Sequence, residues 1–176
     1  MGERVQLRIE ALEKPLIAMI KGFCLGGGLG LALQADIRTA SEDSQFGIPA
    51  GRLGVAYPFR NVRKLVEAVG GPKAKEILFT GRRFSSAEAL KMGLVNSVES
   101  DVNFETSVRE IASQIIDCAP LSVRASKNIV NQVTKDPDQR DMTLCEALVE
   151  SCRTSEDFAE GRRAFKEKRR PVFVGR

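Results

Sequence analysis

Three consecutive glycines, Gly26-Gly27-Gly28, separate an apolar run that starts at Pro15 from the apolar run Leu29–Leu33. The pattern predicts a short buried strand, a glycine turn, and a helix that begins inside the glycines. At such a helix start the first backbone N–H groups have no intrahelical acceptor and point at one spot. A spot of this kind binds an anion, or stabilises one that forms during a reaction. The plainer alternative is that the glycines only let strand and helix pack closely. Tyr57, the one tyrosine of the chain, places a phenol ahead of Pro58. It reads either as a polar group beside an apolar pocket or as a half-buried ring whose hydroxyl reaches water. Phe165 and Lys168 stand three residues apart in a predicted last helix, and so share one face. A solvated basic helix with one core phenylalanine accounts for the same pair.

The elements that must position these residues follow from the pattern of apolar residues, glycine and proline. Residues 3–12 resemble the end of an amphipathic helix. Pro15–Ile20 reads as a strand, and the glycine helix should run to about Gln34. Asp36–Ala40 and Gln45–Ile48 read as short extended pieces. Their alternation with helix argues an α/β layer with crossover connections. Phe59–Val69 should end at Gly70-Gly71, with Pro72 opening a new helix through Thr80. Ser85 and Glu88 have capping-box spacing for a helix ending at Gly93. Leu94–Val98 reads as a strand. Helices are then expected over about 102–117, 120–134, 138–153 and 156–169. Residues 1–100 thus form an α/β part and 101–176 a helical part.

Composition narrows the chemistry. With 176 residues, 43% hydrophobic and 28% charged, the chain is long enough for a real core. It contains no histidine, which excludes Ser-His-Asp, Cys-His and His–metal sites. Cys24, Cys118, Cys145 and Cys152 lack metal-ligand spacing and read as free thiols. No metal site is expected. The uncharged stretch Phe23–Leu33 falls short of the roughly 20 residues needed to cross a membrane. The first residues carry charge where a signal peptide would be apolar, so a cytoplasmic or organellar protein, rather than a secreted one, is expected. The net charge of +4 is concentrated near the end, at Arg162, Arg163, Lys166, Lys168, Arg169 and Arg170. That cluster suits either the helix dipole or a phosphate-bearing ligand.

Lys14–Pro49, KPLIAMIKGFCLGGGLGLALQADIRTASEDSQFGIP, resembles the central signature of the crotonase (enoyl-CoA hydratase/isomerase) superfamily. Gly81–Val98, GRRFSSAEALKMGLVNSV, and the tail SEDFAEGRRAFKEKRRPVFVGR are similar to two further segments of that family. The resemblance implies an α/β spiral core of ββα units followed by C-terminal helices, assembled as homo-trimers or hexamers. It implies an acyl-CoA thioester substrate whose carbonyl oxygen is held by two backbone N–H groups, one of them Gly27. Coenzyme A enters as part of the substrate, and no other cofactor is implied. Phe165 and Lys168 are expected against the adenine and a phosphate of coenzyme A.

Two departures shape the functional expectation. Hydratases of the family carry glutamates where this chain has Gly30 and Ala50, and a carboxylate pair is what holds and deprotonates a water. The family's N-terminal half, which supplies further strands and the second oxyanion donor, is also expected to be missing here. Leu53–Pro58 is similar to the matching stretch of the methylmalonyl-CoA decarboxylase branch, which lacks the glutamates and has a tyrosine. The first expectation is therefore a lyase decarboxylating a malonyl-type CoA ester, with Gly27 and Tyr57 as its catalytic groups. The alternatives are an enoyl-CoA hydratase or isomerase with atypical acid and base, and a non-catalytic protein that binds acyl-CoA or RNA.

Overall fold

The computed structural model describes residues 3–176. These fall into two compact units, the residues through Leu12 together with Leu16–Arg109, and Glu13–Pro15 together with Glu110–Arg176.

The first unit is built on two small sheets between which the chain alternates. After helix α1 (Glu3–Glu10), strand β1 (Ile17–Ile20) enters one sheet and β2 (Phe23–Leu25) the other. β3 (Ile37–Ser41) returns to the first sheet and β4 (Gln45–Gly47) to the second. β1, β3 and β6 (Ser97–Glu99) pair in parallel, with Ile17 opposite Ile37 and Thr39 opposite Ser97. β2 and β4 pair in parallel, with Leu25 opposite Gly47. β5 (Phe84–Ser85) joins β4 antiparallel. The corner between β1 and β2 falls at Gly22, whose φ of 72° lies in the left-handed region that glycine tolerates. The sequence pattern predicted one strand, Pro15–Ile20, leading into the glycines. The corner at Gly22 adds a second strand, and β2 is the one that leads into the turn.

Helix α2 (Gly27–Ala32) ends at Leu33, one residue short of the expected Gln34. Helix α3 (Phe59–Thr80) is broken at Gly70 (φ 73°, ψ 160°), so the expected stop and restart around Pro72 are present in the backbone. Ser85 caps α4 (Ser86–Lys91) in a full capping box with Glu88. Arg82 also donates to Glu88 at 2.9 Å. Those bonds, first from the Ser85 backbone and then from Arg82, hold the Glu88 carboxyl below its usual range. Leu29, Phe46, Ile48, Leu65, Ile77, Phe84 and Leu94 are large, fully buried apolar side chains at the centre of this core. Leu29 lies one turn into the glycine helix and Phe46 and Ile48 on and after β4, so the core fixes both sides of the glycine turn.

The second unit holds most of α5 (Phe104–Ile116), then α6 (Pro120–Val133), α7 (Met142–Arg153) and α8 (Glu156–Glu167). α7 starts later than the expected residue 138, because Pro137–Gln139 forms a separate 3-10 turn and Asp141 caps the helix through Leu144 N–H. The tail is fastened to α8 by two acids on the same helix face. Asp157, only 2% exposed, accepts the Val174 and Gly175 N–H groups at 2.7 and 3.0 Å. Glu160 accepts Arg169 at 2.6 Å, the Val172 N–H at 3.0 Å, and Arg163. No helix among the described residues is long and apolar enough to cross a membrane.

Candidate active site

The glycine turn sits where β2 hands over to α2. Gly26 donates its N–H to the Gly47 carbonyl at 2.8 Å, which continues the β2–β4 ladder one residue past the strand. It then takes φ 50° and ψ −113°, a left-handed conformation suited to glycine alone, and becomes the N-cap of α2. Its carbonyl accepts the Gly30 N–H at 3.0 Å, the first bond of the helix. The N–H groups of Gly27, Gly28 and Leu29 precede the first helical donor, and no side chain caps this helix start. A Cβ built on Gly26, Gly27 or Gly28 would meet no described atom within 4 Å. The turn therefore combines unused donors with an open face, the arrangement an oxyanion needs.

Behind the turn the space is filled. A Cβ on Gly30 would stand 2.6 Å from Tyr57 Oη and 2.9 Å from Asn61 Nδ2. Asn61 is buried on the first turn of α3, and Tyr57 is half-buried at the end of the loop that follows the 3-10 turn Pro49–Leu53. Tyr57 Oη donates to the Gly26 carbonyl at 3.0 Å and is itself hydrogen-bonded by Asn61. Burial raises the Tyr57 phenol above its usual range, against the opposing effect of the Asn61 bond, so the hydroxyl keeps its proton. Burial likewise pushes the Cys24 thiol on β2 up to about 11, which leaves it an unreactive thiol at neutral pH.

The structure thus brings two of the expected site residues together, Gly27 and Tyr57, and gives Tyr57 a different contact from the expected one. Its single proton is spent on backbone rather than held out toward a substrate carboxylate. Ala50 lies in the 3-10 turn after β4, and neither it nor Gly30 supplies a carboxylate. Asn61 went unnoticed in the sequence; its only signal was a polar residue four positions after Tyr57, on a helix start. The remaining pair belongs to the second unit. Phe165 is 86% exposed on α8. Lys168 was expected on the same helical face, but it lies past the helix, as its left-handed C-cap at φ 54°. The helix ends there because Glu160 holds Arg169 and the Val172 N–H, which draws the chain back along α8.

A sequence model of the family described as enoyl-CoA hydratase/isomerase matches residues 2–176. The chain is 39% identical over 171 residues to a short-chain-enoyl-CoA hydratase of Clostridium acetobutylicum, covering 97% of this chain and 65% of that protein. It is 36% identical over 176 residues to a crotonyl-CoA hydratase of Syntrophomonas wolfei, covering all of this chain and 68% of that protein. A crystal structure of an enoyl-CoA hydratase from Bacillus anthracis superposes with a TM-score of 0.86 at 30% identity, covering 100% of this chain and 72% of that one. The chain belongs to the enoyl-CoA hydratase/isomerase family and has its α/β crotonase-like fold. It spans about two thirds of the length of the curated relatives it matches. The expected placement in the methylmalonyl-CoA decarboxylase branch is corrected by these relatives, which are hydratases. That placement rested on the six residues Leu53–Pro58, and the hydratases match across nearly the whole chain.

Proposed function

We propose that this chain holds an acyl-CoA thioester by its carbonyl oxygen at the Gly27 N–H, and that it serves hydratase or isomerase chemistry on enoyl-CoA. Withdrawing electrons at the carbonyl makes the β-carbon of an enoyl thioester electrophilic. The same donor then holds the enolate that forms when a nucleophile adds there or a proton leaves. The observation that carries this reading is the uncapped, open glycine turn; the relatives support the choice of enoyl substrate. Gly30 and Ala50 cannot supply the acid and base, so those groups come from other positions. A malonyl decarboxylase reading needs no base, but it has lost the free phenol on which it relied. Phe165 and Lys168 serve as coenzyme A contacts in this reading, and the exposed apolar residues Phe158 and Phe165 on α8 favour a homo-trimer or hexamer over a lone chain.

The test offers crotonyl-CoA and a malonyl-type CoA ester to the protein side by side, following loss of the conjugated thioester absorbance and release of carbon dioxide. Hydration or double-bond migration is expected, without carbon dioxide. Gly27→Pro removes the donor and should lower kcat about 100- to 1,000-fold, the cost of one oxyanion-hole hydrogen bond. Full activity in a folded Gly27→Pro protein, or carbon dioxide release without hydration, would overturn the proposal.

A further inference from the structure

We infer that Tyr57 is a positioning residue that aims the Gly27 N–H by pinning the carbonyl on the other side of the same peptide bond. This deepens, and rests on, the reading of Gly27 as an oxyanion donor. In a trans peptide unit the C=O of one residue and the N–H of the next lie in one plane and point in opposite directions. Holding the Gly26 oxygen therefore fixes the direction of the Gly27 hydrogen. The plane needs holding, because it lies between two glycines. Rotating ψ of Gly26 and φ of Gly27 together by about half a turn flips the peptide, and glycine tolerates positive φ on either side of such a flip. The flipped form would present a carbonyl oxygen, an acceptor, to the thioester oxygen.

Two bonds oppose the flip, and both end on the Gly26 oxygen. One is the Gly30 N–H at 3.0 Å, the opening bond of a helix only six residues long. A helix this short gives a weak anchor, since few bonds repay its nucleation. The other is Tyr57 Oη at 3.0 Å, delivered by a rigid ring packed against the core. Asn61 bonds to that phenol, so amide, phenol and carbonyl form one relay in which each bond polarises the next. The residue types fit this role: a phenol gives one directed proton without bringing a charge behind an oxyanion site. Gly30 completes it, because any side chain there would push Tyr57 Oη and Asn61 Nδ2 out of place.

The experiment uses difference infrared spectroscopy of butyryl-CoA labelled at its carbonyl carbon, a saturated thioester that cannot be hydrated. Bound to the unsubstituted protein, its carbonyl stretch should fall in frequency, reporting a donor on the oxygen. Tyr57→Phe keeps the ring and should bind the thioester within about threefold. It should lose at least half of that frequency shift, and kcat for crotonyl-CoA should drop roughly three- to tenfold, as expected for one neutral hydrogen bond. Because Tyr57 is the only tyrosine, growth on trifluorotyrosine labels this site alone and gives a second probe that retains the ring. Its more acidic phenol ionises at lower pH and stops donating, so the frequency shift should vanish at a pH where the ordinary protein keeps it. An undiminished shift in Tyr57→Phe, or in the ionised fluorotyrosine protein, overturns the positioning role and leaves Gly27 in place as donor. No shift in the unsubstituted protein overturns both.

Discussion

Gly30→Ala separates two opposing effects whose sizes are known. Inside a helix, alanine is favoured over glycine by about 1 kcal/mol, and Gly30 has ordinary helical geometry, so an unobstructed methyl would stabilise the protein. The structure places that methyl 2.6 Å from Tyr57 Oη and 2.9 Å from Asn61 Nδ2, far inside contact distance. Both atoms are side-chain ends, but neither is free to yield. Tyr57 belongs to a rigid, core-packed ring held to the Gly26 oxygen, and Asn61 is buried. Overpacking costs about 1–3 kcal/mol, and displacing the phenol forfeits a further ~1 kcal/mol of hydrogen bonding. Set against the helix gain, the net is a loss of roughly 1–3 kcal/mol. For a chain of this length each kcal/mol moves the midpoint about 2–4 °C, so Tm should fall by roughly 2–12 °C.

The assay is thermal unfolding followed by far-ultraviolet circular dichroism, with the substitution made in two backgrounds. In Tyr57→Phe the oxygen is gone and the shorter of the two contacts with it, so Gly30→Ala should cost about 1 kcal/mol less there. That coupling is the energy the clash predicts between touching residues. A rise in Tm for Gly30→Ala, or equal costs in both backgrounds, would refute the packed arrangement behind the turn. The chemistry depends on the same geometry. Gly30→Glu introduces the glutamate that the family resemblance implies for a hydratase at this position, yet it should give no gain in hydration while Tyr57 and Asn61 fill the space.

Two predictions concern the second unit. Glu160 is held well below the usual carboxylate range by Arg169 first, then the Val172 N–H and Arg163. A depressed folded-state value means that the unfolded chain binds the extra proton, so this stability is present above the ordinary value of 4.5 and is lost as pH falls below it. Glu160→Gln should flatten the acid limb of the Tm–pH curve, and an unchanged limb would show that the tail is fastened elsewhere. Lys168 adopts φ 54°, a strained choice for a non-glycine residue at a helix C-cap. Lys168→Gly should therefore raise stability by about 0.5–1 kcal/mol, strain relieved less the added chain entropy. It should also weaken coenzyme A binding in calorimetry; equal affinity would remove the lysine from the phosphate contact.

The sequence carried the glycine turn in full, because its signal is local. Only glycine fits φ 50° combined with ψ −113° at Gly26, and an apolar helix directly after it needs no distant partner to be recognised. The capping box at Ser85 and Glu88 and the break at Gly70 were legible for the same reason. What could not be read was anything set by a contact across the chain. β2 is three residues long and exists because Leu25 pairs with Gly47, twenty-odd positions away. Lys168 left its helix because Glu160 holds Arg169 and the Val172 N–H beyond it.

Tyr57 shows how the same gap shapes a functional reading. As a lone tyrosine near a site without carboxylates, it invited the role of substrate donor. Its partner is 31 residues earlier, at a backbone oxygen that no side-chain pattern advertises. Gly30 and Tyr57 are packed against each other, so the absence of a side chain at one position and the phenol from the other go together in this structure. A Cβ at position 30 would stand 2.6 Å from Tyr57 Oη and 2.9 Å from Asn61 Nδ2, so in this chain a side chain there and the phenol on the Gly26 oxygen compete for the same space. Under the proposed function the phenol steadies the Gly27 donor, and the acid and base lie at positions other than 30. Placing a glutamate at position 30 therefore engages Gly30, Tyr57 and Asn61 at once.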